Sequence, residues 1–388
     1  MKIKEKRIYL DYAAATPIDK GVSSLMKKAE DSLWANPSSL HEEGEKAKDV
    51  LEKARKEIAY ILHCRSEEVY FTSGGTESAN IAIQGILKAH KNAHVICSSF
   101  EHPAVLETVK NSGAEISLIY PDERGIVNPK SIEKEIKENT VLVCLMHANN
   151  EIGTIQPVRE VSRIIKDFRL RKCVEDDHLH ISSPYLFVDA CQSVLYEDVS
   201  IERLGTDILM IDGIKMYGPR GAGVLVIKHG VKIDPIIFGG GQEKGLRPGT
   251  ENAISALGLS EALKIASSFR ESESERLTEL RDYAIDKILS QIPGSSINGD
   301  QENRLPNNVN ICFKNIDSEF LVIKLDTLGF SISAASACNS LKLENSSYVI
   351  SSIGKPECAS SSLRFTFGRE TKKSDVGKLV RTLKNILL

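Results

Sequence analysis

Seven short apolar runs punctuate the chain: EVYFTS, HVICSS, EISLIY, TVLVCLMH, YLFVDA, DILMID and GVLVIK. Between them lie stretches such as GEKAKDVLEKARKEIAYIL, with charges at helical spacing. Runs that are apolar on both faces and separated by helices predict a mainly parallel seven-stranded sheet covered on both sides, the α/β class. This large domain is expected over residues 17–262. Beyond Leu263 the pattern changes to a charged helix (SSFRESESERLTELRDYAIDKIL), a polar hinge (PGSSINGDQENRLPNN), strands VNICF and LRFTF around a helix, and a terminal amphipathic helix. These features predict a smaller α+β domain built from residues 263–388 with residues 1–16. The segment FRLRKCVEDDHLHISSP is long and polar for a helix-to-strand connection and reads as a surface insertion.

No apolar run approaches the roughly eighteen residues that a spanning helix needs; Val141 to Met146 is strand-length. The basic N-terminus, MKIKEKRIYLDYAAATP, passes straight into an alternating apolar segment without the apolar core of an export signal, so a cytoplasmic protein is expected. Fifty Lys and Arg against 53 Asp and Glu leave a formal charge of −3, which gives no global reason to hold nucleic acid or an anionic membrane. With 41% hydrophobic and 27% charged residues the chain is of ordinary globular composition. Its eight cysteines are scattered, with no CxxC pair, so most are expected to be reduced and buried, and no metal site is expected.

Three local signals carry chemistry. In FTSGGTESAN a strand ends in Ser73-Gly74-Gly75-Thr76 and a helix begins, a turn whose backbone N–H groups and helix dipole suit a phosphate. Asp189 closes YLFVDA, and a carboxylate at the carboxyl end of a parallel strand lies at the crevice where α/β proteins bind ligands; helix capping is its commoner use. Lys215 follows the strand DILMID in a glycine-rich turn, where an amine kept partly neutral can form an imine. A phosphate cradle, a carboxylate for a pyridine nitrogen and an imine-forming lysine are together the parts that pyridoxal 5′-phosphate needs.

Around these signals the blocks LDYAAATP, NPSSLH, EHPAVL, MHANNEIGTIQP, VDACQS, MYGPRGAGVL, GGGQEKGLRPGTEN, SACNS and SSLRFTFGRE occur in order. The chain thereby resembles the cysteine desulfurases of the NifS and IscS type, the class V branch of the fold-type I pyridoxal phosphate transferases, over essentially its whole length. The resemblance implies that Lys215 condenses with the cofactor and later moves the substrate α-proton, and that Asp189 pairs with the pyridinium nitrogen. It implies that Gln192 and Asn150 bond the phenolic oxygen, that His102 lies over the ring and transfers protons, and that Gly75 and Thr76 hold the phosphate. Thr250 would reach the phosphate of the neighbouring subunit in a homodimer. Arg364 would clamp the substrate carboxylate, with Asn36 at the same end. Cys338, in a Ser, Ala and Asn-rich segment with the composition of an exposed mobile loop, would take sulfur from L-cysteine as a persulfide and release L-alanine. The acceptors implied are an iron–sulfur scaffold or a tRNA thiolation enzyme. Cys191, in a position the family fills with a small residue, reads as structural.

The chain departs from the family at Asp212-Gly213-Ile214-Lys215, where Ser-Gly-His-Lys is usual. An ionised Asp212 about 4 Å from a phosphate charge would cost roughly 4 kcal/mol at an effective dielectric near 20, so Asp212 is expected to turn away from the phosphate turn. Two competing readings follow: a selenocysteine lyase or other β-elimination activity, against which Cys338 argues, and a cofactor-poor inactive homologue that serves as a binding partner, which Asp212 and Ile214 motivate.

Overall fold

The computed structural model describes residues 7–172, 183–334 and 346–388. The expectations for Cys338, for Cys173 and for most of the polar insertion concern residues outside these. In chain order the strands are β1 (Ile8–Tyr9), β2 (Val69–Thr72), β3 (His94–Ser98), β4 (Glu115–Ile119), β5 (Thr140–Cys144), β6 (Tyr185–Asp189), β7 (Ile208–Asp212) and β8 (Gly223–Ile227). The C-terminal portion adds β9 (Ser295–Ile297), β10 (Asn308–Phe313), β11 (Phe330–Ser331), β12 (Ser333–Ala334) and β13 (Ser362–Thr366).

All seven apolar runs become strands of one sheet, in the order β2-β8-β7-β6-β5-β3-β4. From β7 to β4 every neighbour is parallel, while β8 is antiparallel to both β7 and β2. The α/β class with a mainly parallel seven-stranded sheet is therefore the observed architecture. Central strands β3, β5, β6 and β8 are buried at every position, and the edge strands β2 and β4 are only partly so. Strand alternation sends successive residues to opposite faces. Leu186, Val188, Leu209 and Ile211 join one core, and Phe187, Ile208, Met210 and Leu225 join a second on the other side.

A second sheet, β12-β13-β10-β9, is antiparallel throughout, and β1 pairs in parallel with β11, so the first resolved residues pack with the C-terminal portion. A single helix, Ala253–Gln291, spans 39 residues. The boundary expected between residues 262 and 263 falls inside it, and the two portions are joined by continuous helix. The helix Val158–Lys172 runs into the segment read as an insertion, and Arg169 pairs there with Asp207 at 2.5 Å, an ion pair largely removed from solvent rather than a surface charge. Cys312 and Cys358 form a disulfide across 46 positions, whereas Cys64, Cys97, Cys144 and Cys191 are free thiols.

One buried ion pair fixes the GGGQEKGLRPGT segment, which carries Thr250. Glu243, at φ 45°, accepts 2.6 and 2.9 Å bonds from Arg55 of the helix Glu42–Ile61 and a 2.9 Å bond from Phe71 N–H; the two side chains are 7% and 1% exposed. Removing one partner strands the other charge in the interior. Glu243→Ala is expected to lower the unfolding free energy by about 3–5 kcal/mol, read as a fall in the urea midpoint, and an unchanged midpoint would refute the assignment.

Candidate active site

Strand direction assembles the site. β3, β5, β6 and β7 are parallel, and β2, antiparallel to β8, runs the same way, so five carboxyl ends open on one sheet edge. The residues that follow those ends are Gly74 and Gly75 after β2, Glu101 and His102 after β3, Asn149 and Asn150 after β5, Asp189 to Gln192 at β6, and Asp212 to Lys215 at β7. This is where open α/β sheets bind ligands.

Lys215 sits in the short helical turn after β7. Its Nζ donates to the carbonyls of Ala13 and Ala14 at 2.8 and 2.7 Å, and Gln192 Nε2 donates to the same Ala13 carbonyl at 3.0 Å. Asp189 is buried and accepts from Cys191 N–H at 2.9 Å. His102 caps the helix Pro103–Lys110, its Nδ1 accepting from Ala104 N–H at 3.1 Å, so the proton of the neutral ring rides on Nε2. Burial holds His102 below its ordinary range; Lys215 and Arg364 push the same way, and Asp189 and Asp212 oppose. The imidazole is neutral at pH 7, and it feels the charges of four other groups at this edge.

Arg364, in β13, crosses from the smaller sheet. Its guanidinium donates to the Asn150 carbonyl and to Asp11, each at 2.9 Å, while its buried Nε has no partner. Asn150 Oδ1 is likewise buried and unpartnered. Asn149, by contrast, shapes the loop by accepting from Glu151 and Ile152 N–H. Asn36 closes a local turn through Ser38 N–H, and Thr250 and Thr76 are exposed. The structure thus gathers Lys215, Asp189, Gln192, His102, Asn150 and Arg364 and leaves Asn36 engaged locally. Cys191 is buried, and burial together with Asp189 and Asp212 pushes its thiol well above the ordinary value, which suits a structural role.

Asp212 corrects an expectation. It does not turn away from the Gly74-Gly75 turn: Oδ2 accepts from Gly75 N–H at 2.9 Å and Oδ1 from Ile214 N–H at 3.1 Å. Attraction of the carboxylate to the backbone N–H groups at the helix N-terminus accounts for this orientation.

Sequence reasoning missed Asp11, the Ala13 and Ala14 carbonyls, Glu101 and Glu151. All lie inside the ordered blocks quoted above, Glu101 and Glu151 beside residues that were singled out. Glu151 is fully buried; burial raises it to about 7 against the opposing pull of the Ser347 hydroxyl and Arg364.

Comparison with known proteins identifies the family. Residues 8–379 match the family model for class-V aminotransferases, and the chain belongs to that family, whose members are pyridoxal phosphate enzymes. It is 41% identical to a cysteine desulfurase IscS of Dictyoglomus turgidum over 99% of this chain and 95% of that protein. A cysteine desulfurase IscS 1 of Archaeoglobus fulgidus is 40% identical, with 98% and 96% covered. Among solved structures, a NifS-like protein superposes with a TM-score of 0.88 at 31% identity, covering 98% of this chain and 99% of its own. SspA in complex with cysteine does so with a TM-score of 0.77 at 32% identity, covering 93% and 98%.

Glu101, next to His102, gives a pH prediction. Burial raises its carboxyl from 4.5 to about 8 and Asp189 adds to this, whereas Ser98 Oγ and Met146 N–H oppose it; Oε2 has no partner. Because the folded state keeps this proton longer, its contribution is fully present below pH 4.5 and is lost as pH rises through about 8, on the order of 5 kcal/mol. Glu101→Gln, neutral at every pH, is expected to be more stable than the parent at pH 9 and nearly equal at pH 5. Equal melting temperatures for the two proteins at both pH values would refute a buried, protonated Glu101.

Proposed function

We propose that this chain is a pyridoxal phosphate-dependent cysteine desulfurase that converts L-cysteine to L-alanine and holds the sulfur as a persulfide on Cys338. What carries the reading is the gathering of Lys215, Asp189, His102 and Arg364 at one sheet edge in a chain 41% identical, over 99% of its length, to a cysteine desulfurase. The overall change balances: the thiol of Cys338 and L-cysteine give L-alanine and Cys338–S–SH.

The residues fit the cofactor's aldehyde and ring. Two buried polar atoms, Asn150 Oδ1 and Arg364 Nε, have no protein partner here and await a ligand. When bound, pyridoxal phosphate supplies an aldehyde for an amine and a ring that withdraws the electron pair left at Cα. Lys215 Nζ is the amine held ready, fixed by two carbonyls and bonded to no carboxylate. Asp189 would keep a proton at the ring nitrogen, and Gln192 and Asn150 would bond the phenolic oxygen. His102, whose Nδ1 is engaged with Ala104 N–H, would give a proton from Nε2. The Arg364 fork would orient the substrate carboxylate, for which a planar bidentate donor is better suited than lysine. Gly75 and Thr76 would hold the phosphate, and Thr250 would reach that of the neighbouring subunit in a homodimer. Cytoplasmic residence and delivery of sulfur to an iron–sulfur scaffold or a tRNA thiolation enzyme belong to the same proposal.

One observation favours the competing reading of a cofactor-poor homologue: the carboxylate of Asp212 sits on the phosphate turn. A visible spectrum of the purified protein before and after L-cysteine separates the two. A cofactor band that changes on addition, with alanine formed, is expected; a colourless protein that stays colourless with added cofactor would refute the enzyme. Cys338→Ala is expected to keep the band and lose sulfide release in the presence of a thiol reductant. Arg364→Ala is expected to raise the KM for L-cysteine by about tenfold to a hundredfold through loss of a charge-assisted bond, and an unchanged KM would remove Arg364 from the substrate site.

A further inference from the structure

Resting on the cofactor reading above, we propose that Asp212 competes with the cofactor phosphate for one donor: its carboxylate holds Gly75 N–H, and loading requires the phosphate to displace it. The consequence is a cofactor that exchanges rather than one bound almost permanently.

The placement is specific. Asp212 Oδ2 accepts from Gly75 N–H at 2.9 Å, at the first residue of the helix Gly75–Ala89. A Cβ added at Gly74, whose φ is +145°, would stand 2.9 Å from that oxygen, and one at Gly75 would stand 3.6 Å from it. The double glycine therefore allows an anion to approach the backbone, and the anion that does so belongs to the chain. Both bonds of Asp212 come from backbone N–H groups, of Gly75 and Ile214. The neighbouring Ser73 N–H is likewise taken, by Glu77, which also pairs with Arg247 at 3.0 Å. Two carboxylates thus satisfy donors that this turn would offer an incoming phosphate, and Arg247, the cation at its rim, is already neutralised. Lys215 is turned to the Ala13 and Ala14 carbonyls. A phosphate that enters must take Gly75 N–H from Asp212 and then stand beside the displaced carboxylate, two like charges at one donor.

The test uses the full chain stripped of cofactor, as wild type, Asp212→Asn and Asp212→Ser, titrated with pyridoxal 5′-phosphate and separately with pyridoxal, which carries the same aldehyde and ring without the phosphate. Binding is read from visible absorbance and release from dialysis. Removing the competing charge is expected to tighten pyridoxal phosphate by at least about tenfold in both variants and to slow its release, with pyridoxal affinity changed by no more than about twofold. Unchanged or weaker pyridoxal phosphate binding in the variants would overturn the proposal and make Asp212 a supporting residue of the phosphate site. Equal tightening of both aldehydes would also overturn it, because the effect would not act through the phosphate. Should neither aldehyde bind any of the three proteins, the cofactor reading fails and this proposal fails with it. Asparagine keeps an acceptor for Gly75 N–H, and circular dichroism of each cofactor-free variant ensures that folded proteins are compared.

Discussion

Six strands of the large sheet run in one direction, and everything chemical in this chain depends on that. Parallel pairing brings the ends of β2, β3, β5, β6 and β7 to one edge, so residues as far apart in sequence as Gly75, His102, Asn150, Asp189 and Lys215 become neighbours without any one loop having to be long. The strands reach this arrangement because their side chains are apolar on both faces, which only a sheet covered by helices on both sides can satisfy. The same burial that stabilises the sheet removes water from its edge. That makes every charge placed there strongly felt by the others.

The edge responds to this crowding in two ways. Some groups have their charged form disfavoured: burial pushes Glu101 up to about 8 and Glu151 to about 7, and keeps His102 below its ordinary range. Others are paired or given backbone partners. Arg364 has Asp11 and the Asn150 carbonyl, Lys215 has two carbonyls, and Asp212 has two N–H groups. Asp212 stands out because its partner, Gly75 N–H, is the donor that the cradle presents to an anion. Its position makes physical sense only as the answer to an unfilled positive dipole end, since a helix start with an open N–H and a carboxylate within reach will combine.

Local pattern carried much of this fold. Seven apolar runs gave seven strands, and Asp189 and Lys215 were legible because the first ends a strand and the second lies in the turn that follows one. Partners that lie far along the chain were not legible. Arg364 meets Asp11 across 353 positions, and Lys215 meets Ala13 and Ala14 across about two hundred, contacts set by how the N-terminal strand packs beside β11 and not by any local spacing. The orientation of Asp212 was not legible because repulsion from a phosphate says nothing of the attraction of the carboxylate to the turn itself. The helix Ala253–Gln291 continues through residues 262 and 263, where composition becomes charged, because charged residues on a solvent face do not end a helix. The Cys312–Cys358 disulfide follows from β10 reaching the turn before β13, a tertiary fact with no signature in cysteine spacing.

The two ends of the segment that carries Cys338 are tied to the same edge. On the incoming side β12 pairs with β13, and Ser333 stands opposite Arg364 itself. On the outgoing side Ser347 donates to the Glu151 carboxylate, and Tyr348 donates to the Glu101 carbonyl at 2.6 Å. Glu101 immediately precedes His102, and Glu151 follows Asn150, so both anchors are one residue from groups assigned to the cofactor. Arg364 also donates to the Asn150 carbonyl, so the described residues on either side of that segment and the loops after β3 and β5 share one set of contacts.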